Sequence, residues 1–244
     1  MLYVAMTGAS QTMNALAVGG NNLANAKTTG FKADLVQARS MQAYGEGLPT
    51  RVFAMAENPA QRLTAGGQIT TGRDLDVSVN GGSWLAVADA EGKEAYTRSG
   101  RLDIGADGML MNGSGRNILD DAGNPIFVPV PYSKLEIGRD GTISVLPVGA
   151  PANGMEIVGR IKLASPDNST LDKGADGLFR PIDGGTVAAD ESATLSKGML
   201  EDSNVNVVEE LTSMISLQRQ FELQVKVMKT AEEIEGAHAS LLRL

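Results

Sequence analysis

The sequence predicts an α+β protein, mostly β: a central antiparallel β-barrel or sandwich domain flanked by N- and C-terminal coiled-coil helices. Three observations carry this expectation. The chain opens with a segment free of charged side chains, the first being Lys27, whose apolar and small residues recur at 4-3 spacing. Residues 206–244 hold one Gly, Gly236, and no Pro, and repeat the 4-3 spacing. The sequence between them breaks into short apolar runs separated by Asn-Gly and Asp-Gly pairs, the pattern of strands joined by tight turns.

At the N-terminus the expected seam is Leu2, Met6, Ala9, Met13, Leu16, Gly20 and Leu23, a heptad-type stripe. Its residues are small, and Gly8, Gly19 and Gly20 each cost a helix ~1 kcal/mol relative to Ala. An isolated helix of this kind is marginal in water, so it is expected to become helical against partners. A core helix of a monomer is the alternative. The run "NNLANAKTTGFKA", Asn21 to Ala33, then ends the helix. From spacing alone, Asn21, Asn22 and Asn25 read as a C-cap and turn in which asparagine tolerates the left-handed conformation.

Residues 34 to about 72 read as extended or irregular. Strands are expected at "LDVSV", "WLAVA", "AYTRSGRLDI", "GMLMN", "NPIFVPV", "KLEIG", "GTISVL" and "IVGRIKLA", with turns at Asn80-Gly81, Asp107-Gly108, Asp140-Gly141, Asp176-Gly177 and Asp183-Gly184. There is no strand–helix alternation of the βαβ kind, and short strands with Asp-Gly turns point to a barrel or sandwich.

At the C-terminus the expected stripe is Val207, Leu211, Met214, Gln218, Phe221, Val225 and Met228, continuing through Ala231, Ile234, His238 and Leu241. The two successive steps of three from Val225 to Ala231 predict a local stammer. The helix would run about 50 Å at 1.5 Å per residue. Asn206 is placed to cap it, with Glu209 and Glu210 in the first turn near the positive end of the helix dipole. The expected layout is therefore a helical domain of residues 1–33 and 203–244, extended connections at 34–72 and 181–202, and a β domain at 73–180.

Composition narrows the function. With 21 Lys+Arg against 29 Asp+Glu and a net charge of −8, the chain lacks the basic clusters that phosphate backbones require. Cys 0 excludes disulfides and thiol chemistry. No apolar run approaches the ~20 residues of a bilayer span, so direct membrane insertion is not expected. "MLYVAMTGASQTMNALAVGG" lacks the early basic residue and continuous apolar core of a cleaved signal. The sole histidine, His238, sits on the helical stripe, where a half-buried structural residue is the simpler reading. "GSGRN" at Gly113 lacks the Lys-Ser/Thr of a phosphate loop. "DLDVSVNGG" from Asp74 lacks the closing Glu and correctly placed Gly of a calcium loop. The Asp120-Asp121 pair reads as a turn. No catalytic, cofactor-binding or metal-ligating set emerges, and no cofactor is expected.

"NNLANAKTTGFK" resembles the N-terminal signature of bacterial flagellar rod and hook proteins. "LEDSNVNVVEELTSMISLQRQFELQVKVMKTAEE" resembles their second signature, at Ser203-Asn204-Val205-Asn206, Glu209-Glu210 and Gln218-Arg219. "GRDLDVSVNGGSWLAV" and "AYTRSGRLDIGADGMLMNGSGRNILDDAGNPI" look like the β domain of that family, so the resemblance spans nearly the whole chain. Within the family, the short gap after Gly30-Phe31-Lys32 and the Ser83-Trp84-Leu85 triplet resemble the proximal-rod type, with the distal-rod type as the alternative.

The resemblance implies a self-assembling structural subunit of the periplasmic rod, exported through the flagellar type III apparatus without a cleaved signal and working as a torque-transmitting shaft. It implies partners among copies of the same chain and other rod proteins, together with neighbouring basal-body rings and the export apparatus. The subunit interface it implies includes Leu2, Met6, Met13, Leu16 and Leu23, with Asn21, Asn22, Asn25, Gly30 and Phe31 at the turn. From the other end it adds Asn204, Asn206, Leu211, Met214, Arg219, Phe221, Val225 and Met228. Two other classes compete. A wall-associated hydrolase would need paired catalytic carboxylates. A carbohydrate- or surface-binding β module would need an exposed aromatic cluster, yet Trp84, the one Trp, lies in an apolar strand.

Overall fold

The computed structural model describes residues 2–36, 38–42, 52–56, 60–151 and 154–241. The protein is α+β and mostly β, with two long helices, α1 (Leu2–Ala24) and α2 (Val207–Leu241). By contacts it divides into a helical unit, residues 1–26, 32–62 and 205–244, and a β unit, residues 27–31 and 63–204.

In the helical unit α1 packs on α2. The strand Asp34–Leu35 pairs antiparallel with Ala60–Gln61, and Ala38–Gln42 with Val52–Ala56. Asn206 caps α2, its Oδ1 accepting the N–H groups of Val208 (3.1 Å) and Glu209 (3.3 Å). Glu209 and Glu210 occupy the first turn, where their charge meets the unpaired N–H groups.

The β unit is built on an antiparallel five-stranded sheet in the order Leu163–Ala164, Trp84–Ala88, Glu94–Thr97, Phe179–Pro181, Leu171–Lys173. A three-stranded meander, Tyr132–Ile137, Thr142–Pro147 and Glu156–Arg160, stands beside three strand pairs: Leu102–Ile104 with Leu110–Asn112, Val77–Val79 with Leu195–Lys197, and Gln68–Thr70 with Met199–Glu201. Among the described residues these sheets do not close into a barrel. The strand expected through Tyr96–Ile104 breaks at Arg98–Gly100, and the one expected at Asn124–Val130 makes isolated bridges alone.

The turn pairs behave as expected: Gly81, Gly108, Gly141, Gly177 and Gly184 all have positive φ. Six loops share one geometry, at Asp89–Lys93, Gly105–Met109, Asn112–Arg116, Asp120–Asn124, Gly138–Thr142 and Gly174–Leu178. In each, the first N–H donates to the fifth carbonyl, and the fourth residue, a glycine, donates back to the first carbonyl. With no positive φ at a non-glycine residue among those described, this is the type I turn with a glycine bulge.

One core gathers Val77, Leu85, Leu102, Leu110, Ile118 and Ile143; a second surrounds Trp84, Tyr96 and Phe179. The Trp84 and Phe179 rings sit 4.6 Å apart, tilted 46°. Burying each such side chain stabilises the fold by roughly 1.5–3 kcal/mol, so Trp84 is a core residue.

Candidate assembly interface

Along α2 the half-buried positions are Glu210, Met214, Leu217, Phe221, Gln224, Met228 and Ala231, while the other positions from 211 to 230 are exposed. Their steps alternate four and three without interruption, so the expected stammer is absent. Met214, Phe221 and Met228 hold their expected places. Val207, Leu211, Gln218 and Val225 lie outside the seam, as does Arg219. The frame differs because α2 is apolar on several faces: Val208, Leu211, Ile215, Leu223, Val225, Val227 and Ile234 are all exposed. Sequence spacing admits more than one heptad phase on such a helix, and contact with α1 selects one. The side chains of His238 and Leu241 lie outside the described residues.

The face of α1 with its most buried residues is made of small and polar side chains: Ala9, Thr12, Gly19 and Asn22 are buried, with Ala5, Gly8 and Ala15 half-buried. A methyl group on Gly8 would come within 2.8 Å of Gln224 Nε2, and one on Gly19 within 3.1 Å of Met214 Cγ and 2.9 Å of Glu210 Oε1. Two of the helix-weakening glycines thus permit close approach of α2. Met6 and Met13 lie away from this face, 52% and 58% exposed; the small residues take the place against α2. Leu16 and Leu23 are half-buried, and the side chain of Leu2 lies outside the described residues. Apolar spacing does not point to Gly8, Thr12, Gly19, Gln224 or Glu210, although the row 5, 8, 12, 15, 19, 22 keeps the same 3-4 rhythm in small residues.

The asparagines divide their work. Asn25 N–H bonds the carbonyls of Asn21 and Asn22, both at 3.1 Å, and its Nδ2 donates to Asn21 O at 3.0 Å, closing the helix. Asn21 is exposed. None adopts positive φ, so the left-handed explanation is corrected. Asn22 is instead a buried tertiary group: its Nδ2 donates to Asp34 O and its Oδ1 accepts Asp34 N–H, both at 2.9 Å, and Nδ2 lies 3.4 Å from Glu210 Oε1. The side-chain amide pairs with the backbone as a neighbouring strand would.

Gly30 and Phe31 belong to the β unit. Gly30, at φ 71°, donates its N–H to Glu201 O at 2.8 Å. A Cβ there would overlap the Arg98 backbone, with Arg98 C at 2.3 Å. Lys173 Nζ stands 4.1 Å above the Phe31 ring, a cation–π contact. Asn204 N–H donates to Phe31 O at 3.3 Å and its Nδ2 to Thr64 O at 3.0 Å. Beneath these contacts Arg98 Nη1 pairs with Glu201 Oε2 at 3.0 Å. Arg98 also donates to Val79 O and Gly81 O, and Glu201 Oε1 accepts Gly66 N–H. Burial pushes the Arg98 guanidinium below its ordinary range, opposed by the Glu201 charge.

These elements coincide with known families. Residues 2–32 match the family described as Flagella basal body rod protein, 78–145 the Flagellar hook protein FlgE/F/G D1 domain, and 196–241 the Flagellar basal body rod FlgEFG protein C-terminal. The flagellar basal-body rod protein FlgF of Escherichia coli is 40% identical over 249 residues, covering 100% of this chain and 98% of that protein. This chain belongs to the flagellar basal-body rod protein family. Its FlgF relative in Salmonella typhimurium is 41% identical with the same coverage. The FlgG rod protein of Bacillus subtilis is 30% identical over 96% of this chain and 95% of its own length. The chain is accordingly a structural rod protein of the FlgF-like, proximal-rod type, a component of the flagellar basal body. The rod family's two terminal segments contain α1 with its turn and the whole of α2. Among the described residues no helix is long and apolar enough to cross a membrane.

Proposed function

We propose that this rod protein self-assembles through its terminal helices, residues 1–33 and 203–244, into a torque-transmitting shaft, and that it works without catalysis. The observation that carries the reading is the outer stripe of α1. Met6 and Met13 are exposed on a helix with no charged residue, while α2 exposes Leu211 and Val225 beside its seam. Single exposed apolar residues are ordinary on a monomer; repeated ones at helical spacing on two elements are the pattern of helices awaiting further helices. A charge-free helix can be stacked in many copies without like-charge repulsion, and a heterologous contact that does not close produces a filament.

The partners in this reading are copies of the chain and the other rod proteins, met through Met6, Met13, Leu16, Leu23, Leu211, Arg219 and Val225, while Met214, Phe221 and Met228 hold α2 against α1. The β unit then supplies contacts to neighbouring subunits or surrounding rings, and the export apparatus handles the chain before assembly.

The test is a Met6→Lys/Met13→Lys variant. Both positions are exposed, so the subunit is expected to keep its circular dichroism spectrum and thermal midpoint while losing incorporation into isolated basal bodies. Wild-type incorporation of that variant would refute the assembly role of α1.

A further inference from the structure

The chain passes between the helical and β units after residues 26, 31, 62 and 204. Tension carried along the covalent chain from the helices therefore enters the β unit at residues 27–31, at Leu63 or at Asn204. Inside the β unit these entry segments are tied to one another. Phe31 O accepts Asn204 N–H at 3.3 Å, and Asn204 Nδ2 donates to Thr64 O at 3.0 Å. Gly67 O accepts Asp202 N–H at 2.7 Å, and a Cβ on Gly66 would overlap Asp202 O.

Glu201 holds the group with three oxygens. Its carbonyl accepts Gly30 N–H at 2.8 Å, Oε1 accepts Gly66 N–H at 3.0 Å, and Oε2 pairs with Arg98 Nη1 at 3.0 Å. Arg98 carries the connection inward, Nη1 donating to Val79 O at 3.2 Å and Nη2 to Gly81 O at 2.6 Å. Val79 belongs to the apolar core, and Gly81 leads into the strand Trp84–Ala88.

We infer that Glu201 is the force-transfer residue of this subunit: it fastens the segments leading to both terminal helices to one another and, through Arg98, to the β core. This role presupposes the function proposed above, a shaft loaded through its helices. The backbone ladder alone is a weak fastening. Gln68–Thr70 pairs with Met199–Glu201 over three residues, and every residue of the first strand is exposed, so the pair can peel from one end, bond by bond. The Glu201 carboxylate bonds Gly66 and Arg98 at once. Pulling it away leaves a guanidinium buried without its counter-charge, which is strongly disfavoured, and hydrogen bonds between charged groups are about twice as strong as neutral ones. A well-packed apolar pair would serve a static fold equally well. What the ion pair adds is directional bonding across separate chain segments.

The chain has no cysteine, so introduced cysteine pairs give pulling handles at chosen sites on the full-length protein. Ser213→Cys with Ala122→Cys sends tension from α2 into the β unit at Asn204. Ala122→Cys with Ser169→Cys stretches residues 122–169, which omit every segment of the fastening. All three positions are exposed. At constant force in optical tweezers, Glu201→Gln is expected to shorten the lifetime at least about tenfold in the first geometry, a fraction of the cost of leaving a buried charge unpaired. In the second geometry the lifetime is expected to stay within about twofold of the parent. An unchanged lifetime in the first geometry overturns the role. Equal shortening in both overturns it too, because a residue that merely stabilises the fold gives that result. If Glu201→Gln lacks the parent's circular dichroism spectrum, Arg98→Lys is judged by the same two outcomes; it keeps the charge and gives up the bonds to Val79 and Gly81. Each measurement is made on one chain at a time. The role of Glu201 is therefore decided by the pulling geometries, and the assembly role of α1 by incorporation of the Met6→Lys/Met13→Lys variant, so that either can fail while the other stands.

Discussion

Arg98 and Glu201, 103 residues apart in sequence, form a buried ion pair at 3.0 Å with side chains 4% and 3% exposed. Both ions are also tied to backbone: Arg98 to the carbonyls of Val79 and Gly81, Glu201 to Gly66 N–H. Removing one partner leaves the other charge buried and uncompensated. Arg98→Ala is therefore expected to lower stability by about 3–5 kcal/mol, read as a drop in the urea midpoint. An effect under ~1 kcal/mol, the range of exposed pairs, would contradict the buried geometry.

Gly30 sits at φ 71° against the Arg98 backbone. The neighbouring atoms are peptide groups and cannot swing aside as a side-chain end could. Gly30→Ala is expected to destabilise the protein by ~2 kcal/mol or more, through left-handed strain and overpacking together. Thermal unfolding checks it, and a midpoint within a degree of wild type would show that the Thr29–Phe31 turn is not held against Arg98.

Neighbouring glycines of α1 are expected to respond with opposite signs. A methyl group on Gly20 meets nothing within 4 Å, whereas one on Gly19 meets Glu210 and Met214. Gly20→Ala should stabilise by up to ~1 kcal/mol through helix propensity. Gly19→Ala should lose that gain to the forced displacement of α2 side chains. Paired denaturation curves decide the order; Gly19→Ala as the more stable variant would place α2 elsewhere.

Arg180 holds two carboxylates, Asp89 Oδ2 at 2.9 Å and Asp176 Oδ2 at 2.7 Å. Its hydrogen bonds hold both carboxyl groups below their ordinary pKa. A carboxylate whose folded value lies below its unfolded value of ~3.9 contributes stability above that pH and loses it as pH falls through the folded value. Stability is thus expected to decline on acidification below pH ~4. Arg180→Gln should lower stability at neutral pH and flatten the decline, because the folded values of the two aspartates then return toward the unfolded one. Parallel acid titrations monitored by tryptophan fluorescence, with Trp84 in the core, test this; equal slopes in both proteins would remove Arg180 as the cause.

Much of the design is legible in the sequence by itself. The two helical ends, the Asn206 cap, the Asn-Gly and Asp-Gly turns, the strand Trp84–Ala88 and the rod family's paired signatures all follow from local chemistry: periodicity, capping side chains and the freedom of glycine at positive φ. Three-dimensional packing decided the rest. Short strands such as Gln68–Thr70 and Met199–Glu201 lack a local pattern, because their identity comes from each other across the chain. The heptad phase of α2 could not be read from a helix apolar on several sides; the small face of α1 selected it. Asn22 looks like a turn residue until Asp34 is brought beside it, and Arg98 like a surface charge until Glu201 closes over it. Local signals report what a residue prefers, whereas a buried hydrogen bond or ion pair depends on a partner whose distance along the chain carries no sequence signal.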